Sequence, residues 1–147
     1  MGLKQSKAKG PSFTEEQLFK GNVCGIDEAG RGPLAGPVVA SCVFIHPDQY
    51  NSTYIQEIND SKKLSKKKRE QLYEYITSKC IYGIGNVSAE EVDTLNIHNA
   101  SLLAMRRAYL KLINKSIKID MALIDGRFIP KLPCQSIPLF PILSSTR

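Results

Sequence analysis

Apolar residues along this chain gather in short continuous runs that alternate with longer segments where they recur at helical spacing. A short apolar run covers residues 23–26 and ends in two acids, and a nearly unbroken run rich in β-branched residues covers 37–45. Runs of this length and composition are typical of buried strands. The pattern therefore predicts two strands, joined as a hairpin.

The middle of the chain carries helix start signals. Ser65 can cap a helix that runs to about residue 79, and residues 88–91 match a capping box that opens a short helix. Asn96 is expected to cap a longer helix over about 97–113. The residues expected on the buried faces are Leu72, Tyr75 and Ile76 in the first helix, and Leu102, Met105, Tyr109, Leu112 and Ile113 in the last.

Two further segments complete the predicted architecture. Residues 80–87 and 117–124 have strand character, and the second of them ends at Asp125. Strands that alternate with helices predict an α/β sheet, whose sites gather at strand ends. Residues 130–147 contain four of the eight prolines and no acid, so they are expected to be irregular.

Composition limits the class of protein without deciding its function. The chain has 147 residues, 42% of them hydrophobic, and a net charge of +6, which suits one globular domain and favours polyanionic partners. Its longest apolar run has eight residues, against the roughly 20 that span a bilayer, so no membrane segment is expected. Four widely spaced cysteines predict reduced, mostly buried thiols and a cytoplasmic location.

Candidate chemistry is concentrated where the first strand ends. Asp27 and Glu28 are adjacent, and neighbouring residues of a strand point to opposite faces of the sheet. Both acids can therefore serve one site only if the extended backbone geometry breaks, which Ala29 and Gly30 would allow. Such an oxygen-rich site suits Mg²⁺ or Mn²⁺. The glycine spacing fits neither a dinucleotide fingerprint nor a P-loop. A turn with two solvated acids stays open as an alternative.

A basic cluster precedes the first predicted helix. Six of the eight residues from Lys62 to Arg69 are Lys or Arg, and the helix that begins after Ser65 adds backbone N–H groups at its start. Contact with a phosphate backbone and a merely solvated basic face both fit this pattern.

Five segments in the same order resemble the sequence blocks of the type 2 ribonucleases H, the ribonuclease HII family. The first is the signature over residues 27–40, and the others cover 59–64, 91–96, 103–108 and 123–126. The resemblance implies an RNase H-like α/β fold, a mixed sheet flanked by helices. It also implies hydrolysis of the phosphodiester 5′ of a ribonucleotide, in an RNA/DNA hybrid or embedded in duplex DNA.

The resemblance assigns roles to particular residues. Asp27, Glu28 and Asp125 would be catalytic and would hold one or two Mn²⁺ or Mg²⁺ ions. Gly30, Arg31 and Gly32 would contact the ribose 2′-hydroxyl, with Arg31 also able to pair with phosphate or with a local carboxylate. Lys62 and Lys63 would bind the nucleic-acid backbone. The protein is expected to act as a monomer.

The resemblance fades near Pro138. The family continues with a segment that supplies a fourth carboxylate and with C-terminal helices, which this chain lacks. The expected division is a basic tail and lead-in over 1–20, an incomplete catalytic domain over 21–137, and a divergent end over 138–147. A truncated, catalytically impaired nucleic-acid-binding remnant is therefore the alternative function. A metal-free nuclease is disfavoured, because nothing in the sequence ties His46 to His98.

Overall fold

The described residues of the protein form two compact units. A computed structural model describes residues 21–29, 36–50, 52–53, 64–126 and 128–139. The first unit contains residues 45–50, 52–53 and 64–81, and the second contains 21–29, 36–44, 82–126 and 128–139. We call them the small unit and the sheet unit.

The small unit has a short 3-10 helix, Pro47–Gln49, and the helix α1, Lys66–Lys79. Ser65 caps α1 as predicted, since its hydroxyl accepts a hydrogen bond of 3.1 Å from the Lys68 N–H. Leu72 is buried on the inner face, as expected, and the Tyr75 hydroxyl donates a hydrogen bond to the Gln49 side chain.

The sheet unit is built on five strands in the order β3-β2-β1-β4-β5. β1 and β2 pair antiparallel as the predicted hairpin, whereas β4 runs parallel to β1 and β5 parallel to β4. The sheet is therefore mixed, as expected. The strands are β1, Val23–Ala29; β2, Val38–Phe44; β3, Ile81–Val87; β4, Met121–Ile124; and β5, Gln135–Pro138.

Strand β5 corrects the expectation that the chain is irregular from residue 130 onward. It pairs with β4 from Met121 opposite Gln135 to Ile124 opposite Pro138, and the Leu139 N–H extends the ladder to the Ile124 carbonyl at 2.8 Å. Pro138 lacks an N–H, but β5 is the last strand of the sheet, and an edge strand tolerates proline. Proline content was therefore a poor guide here.

Helix α2, Ala89–Ile113, contains a break that the sequence predicted. The capping box at its start is present, with Ser88 and Glu91 bonded to each other's backbone N–H at 3.1 and 3.0 Å. Asn96 has a φ of 70°, which interrupts the helix, and its side-chain oxygen accepts a bond of 3.0 Å from the Asn99 N–H. Asn96 thus caps a second helical segment, as expected.

The core lies where α2 packs on the sheet. Met105, Tyr109 and Leu112 are buried as predicted, but Leu102 and Ile113 are only partly buried. Two fully buried alanines on α2, Ala104 and Ala108, lie where the helix backbone comes close to β3. A Cβ atom at Gly85 of β3 would overlap the Ala104 carbonyl oxygen and the Ala108 nitrogen. Small residues on both sides therefore permit this close approach.

The cysteines are free thiols, as predicted. Cys24, Cys42 and Cys80 are buried and Cys134 is partly buried. A hydrogen bond with Cys42 and burial together raise the pKa of the Cys24 thiol far above its ordinary range. Across the part of the chain that the structure describes, no helix combines the length and apolar character needed to cross a membrane.

Candidate active site

Asp27 and Asp125 lie side by side on neighbouring strands, Asp27 within β1 and Asp125 directly after β4. The parallel register of β1 and β4 pairs Ile26 with Ile124, so the next residue on each strand is an aspartate. The Asp125 N–H donates to the Ile26 carbonyl at 2.9 Å, which continues the ladder by one residue, and the two aspartate carboxyl groups lie near enough for Asp125 to raise the pKa of Asp27. Residues 98 positions apart in the sequence therefore meet through strand pairing.

The contact between these two carboxyl groups is electrostatically unfavourable. Partial burial, in first place, and the neighbouring Asp125 carboxyl raise the pKa of Asp27 from 3.8 to about 7, with a smaller contribution from the charge of Glu28. A bond from the Glu28 backbone N–H opposes this rise. A divalent cation would relieve the repulsion between the carboxylates, and oxygen donors of this kind suit Mg²⁺ and Mn²⁺. The donor set therefore fits a hard cation.

Glu28 is held on a different side of the strand. The expected break in extended geometry is absent at Ala29, because pairing with β2 continues as far as Ala29 opposite Val39, and Gly30 lies outside the described residues. Asp27 and Glu28 thus keep the alternation of a strand, and Glu28 accepts a hydrogen bond of 2.8 Å from the Ser101 hydroxyl on α2.

Among the described residues, no three His, Cys, Asp or Glu side chains form a group placed to hold a metal ion. The structure therefore brings together two of the three predicted acids, and the third lies against the helix.

Ser101 was absent from the predicted site residues. A signal for it exists in the sequence, because Ser101 shares the spacing of the buried positions Met105, Ala108 and Leu112 and is the one polar residue at such a position. A hydroxyl on an otherwise apolar helix stripe usually has a specific hydrogen-bond partner. In this protein that partner is a candidate site acid.

A second charged cluster lies on the outside of the sheet unit. The Arg107 guanidinium donates to both carboxylate oxygens of Glu91, at 3.0 and 2.8 Å, and to the Asn86 carbonyl at 2.7 Å. Hydrogen bonds from Arg107, and then from the Ser88 backbone, lower the pKa of Glu91 to about 2. This bidentate ion pair ties the two segments of α2 to the end of β3.

The remaining predicted site residues, Gly30, Arg31, Gly32, Lys62 and Lys63, lie outside the described residues. The described part of the basic cluster is at the start of α1, where Lys66, Lys67 and Arg69 are exposed. The Arg69 guanidinium donates to the Leu64 carbonyl at 3.1 Å.

The two histidines each have a local structural contact. The His46 ring accepts a hydrogen bond from the Asp48 N–H in the small unit, and the His98 ring meets Phe128 edge to face at 4.6 Å between centroids in the sheet unit. Neither contact resembles the linked acid and base of a metal-free nuclease.

The comparisons of this sequence with known proteins agree on one family. The family model for ribonuclease HII matches residues 24–142. A ribonuclease HII of Paramagnetospirillum magneticum is 48% identical over 124 residues, which are 84% of this chain and 60% of the relative. A ribonuclease HII of Caldanaerobacter subterraneus is 44% identical over 131 residues, 86% of this chain and 52% of the relative. The chain thus spans little more than half the length of these curated relatives.

Among solved structures, the ribonuclease HII of Archaeoglobus fulgidus, determined as a complex with PCNA, superposes with a TM-score of 0.58 at 26% identity. The match covers 80% of this chain and 61% of that one. Likeness in sequence and in fold therefore agrees with the strand-end aspartates, and the chain belongs to the ribonuclease HII family.

Proposed function

We propose that this chain is a metal-dependent endoribonuclease. It hydrolyses the phosphodiester on the 5′ side of a ribonucleotide, in an RNA/DNA hybrid or embedded in duplex DNA, and leaves a 3′-hydroxyl and a 5′-phosphate. The observation that best supports the proposal is the register of β1 and β4, which places Asp27 and Asp125 next to each other in a chain of this family. Two carboxyl groups held against each other are a typical binding site for divalent cations.

The role of the acids follows from how the sheet holds them. Asp27 and Asp125 would hold Mn²⁺ or Mg²⁺, and Glu28, whose carboxylate is bonded to Ser101, would join them as a third ligand only after turning away from α2. When bound, the metal supplies a lowered pKa for the attacking water and stabilises negative charge on the leaving 3′-oxygen. Since hydrogen-bonded strands fix both aspartates, the chain provides a site that needs little reorganisation on loading.

Substrate recognition is assigned to residues outside the described part of the chain. The turn over Gly30, Arg31 and Gly32 would contact the ribose 2′-hydroxyl, the group that distinguishes RNA from DNA at a given position. Lys62 and Lys63 would bind phosphates, so duplex binding would weaken as salt rises. Their continuation at the start of α1, where Lys66 and Lys67 are exposed, supports this assignment.

Nicking of a defined duplex tests the proposal. The substrate is duplex DNA with one embedded ribonucleotide, the cofactor is Mn²⁺ or Mg²⁺, and the control protein is Asp27→Asn. We expect metal-dependent cleavage 5′ of the ribonucleotide by the wild type and none by the control. An all-DNA duplex of the same sequence should stay intact.

Other results would contradict the proposal. Duplex binding by the wild type without any nicking would identify a binding remnant and overturn the enzymatic assignment. Equal nicking by the wild type and by Asp27→Asn would show that Asp27 holds no catalytic metal.

A further inference from the structure

Exposed apolar side chains gather on two segments of the sheet unit that touch each other. Within the described residues, five large hydrophobic side chains are exposed, and Ile97, Phe128 and Ile129 are three of them, at 37%, 56% and 39%. The rings of His98 and Phe128 join the two segments through their edge-to-face contact of 4.6 Å between centroids. We call these four residues the rim patch.

The rim patch is tied to the candidate site through both of its segments. Phe128 is three residues after Asp125, and three residues span at most about 11 Å, so the two backbones lie within that distance of each other. His98 is three residues before Ser101, whose hydroxyl contacts Glu28 on β1. The patch therefore lies at the same end of the sheet as Asp125, the end at which ligands of α/β sheets bind.

An apolar surface beside a charged site indicates contact with an apolar part of the ligand. The basic residues of this chain suit phosphates, whereas apolar side chains pack on the edges of bases. The 2′-hydroxyl that the proposed function recognises is displayed in the wide, shallow minor groove of an A-form helix. Phe and Ile are among the side chains that minor-groove-binding proteins insert there. A duplex whose 2′-hydroxyl faces the site thus presents its minor groove to this end of the sheet.

We propose that the rim patch packs on sugars and base edges in the minor groove of the substrate duplex. The inference rests on the proposed function, because that reaction brings the minor groove to the aspartates. The contact with His98 holds the Phe128 ring before the duplex arrives, which lowers the entropic cost of binding. The patch thus adds affinity that does not depend on charge, alongside the phosphate contacts of the basic residues.

Duplex binding over a series of salt concentrations tests this surface. The probe is duplex DNA with one embedded ribonucleotide, and fluorescence anisotropy without divalent cation measures its affinity while it stays uncut. We expect Phe128→Ala to weaken binding by about tenfold, as loss of an aromatic contact with a base does. The slope of log affinity against log salt should stay that of the wild type, because no phosphate contact is lost. Phe128→Leu keeps much of the apolar area and should bind better than Phe128→Ala.

Two isoleucines provide a matched control. Ile129 and Ile84 are both 39% exposed, but Ile84 lies on β3 and outside the patch. Ile129→Ala should weaken duplex binding several-fold, and Ile84→Ala should leave it unchanged. A variant with both Lys66→Ala and Lys67→Ala should behave differently from the patch variants, with weaker binding and a shallower salt slope, since those changes remove positive charge.

The outcomes separate the patch from the function on which it rests. Wild-type affinity in Phe128→Ala and Ile129→Ala would overturn the inference, and a shallower salt slope in Phe128→Ala would do the same, because it would indicate phosphate contact. Sedimentation that shows an oligomeric wild type and a monomeric Phe128→Ala would make the patch an interface between copies instead. None of these results affects the proposed function while nicking still depends on Asp27. A wild type that binds no duplex would contradict both.

Discussion

The sheet unit contains two charged clusters that differ in their electrostatic balance. Asp27 within β1 and Asp125 directly after β4 bring like charges together, and the pKa of Asp27 rises to about 7. On α2, Arg107 pairs with Glu91 and the pKa of Glu91 falls to about 2. The ion pair stabilises the fold, whereas the aspartate pair destabilises it unless a cation is present. An unfavourable arrangement that strand pairing maintains is a better indicator of function than a satisfied one.

Asp125→Asn should have the largest effect, because it changes the aspartate cluster and should reduce nicking, whereas a change in the ion-pair cluster should not. It removes a charged oxygen ligand, so we expect metal-dependent nicking to fall by at least about 100-fold, more than a supporting group would cause. Duplex binding, which depends on basic residues, should stay within a few fold. Nicking assays measure the cleavage, and filter-binding assays measure the affinity for the duplex. Arg107→Ala is the matched change in the other cluster and should leave nicking intact, and equal loss of nicking and binding in Asp125→Asn would contradict a metal role.

Gly85→Ala should disturb the packing of α2 on β3, which holds the Arg107 and Glu91 cluster, and leave the pairing of β1 with β4 that holds the aspartates. The new Cβ would overlap backbone atoms of Ala104 and Ala108, which cannot rotate away. We expect the free energy of unfolding to fall by about 3 kcal/mol, at the upper end for overpacking. Denaturant unfolding measures it. Gly36→Ala is the control, since a Cβ there meets no atom within 4 Å. A denaturation midpoint for Gly85→Ala equal to that of the wild type would show that α2 can move away from β3 at little cost.

The aspartate pair should make stability depend on pH in the absence of metal. Asp27 has a pKa of about 7 when folded and 3.8 ordinarily, so between these values the folded state binds more protons than the unfolded state. The free energy of unfolding should therefore decrease as pH rises from about 4 to about 7. Thermal unfolding of the metal-free protein across this range measures the slope. Asp27→Asn should flatten it, and an identical slope in that variant would contradict the assignment.

The ion pair should give the opposite dependence and a smaller effect. Glu91 has a folded pKa of about 2 against an ordinary 4.5, so its stabilisation is present above pH 4.5 and is lost as pH falls toward 2. Both side chains are more than a third exposed, at 37% and 39%, so solvent screens the pair. Glu91→Gln keeps an acceptor for the Ser88 N–H and should reduce acid sensitivity in that range. Thermal scans at pH 5 and pH 3 compare the two proteins.

Local signals in the sequence predicted much of the fold. The hairpin, the Ser65 cap, the capping box and the restart at Asn96 depend on nearby residues, and all are present. Strand β5 was missed, because it forms by pairing with β4 at a sheet edge and not by its own propensity. Proline content alone could not reveal such pairing.

The candidate site was predictable only in part for the same reason. The acids were identified by their positions after apolar runs, but how they are arranged depends on long-range contacts. Pairing with β2 keeps Asp27 and Glu28 on opposite sides of an extended strand, and a helix 73 residues away provides the partner of Glu28. No local pattern specifies the register between β1 and β4 that brings Asp27 to Asp125.

The buried thiols of the central hairpin make its opening measurable by alkylation. Cys24 on β1 and Cys42 on β2 lie within the core, and the raised pKa of Cys24 keeps that thiol protonated and unreactive at neutral pH. A maleimide or iodoacetamide reagent can reach it only when the two strands separate. The rate of labelling at Cys24, three residues before Asp27, would then report how often this strand detaches, with and without added cation.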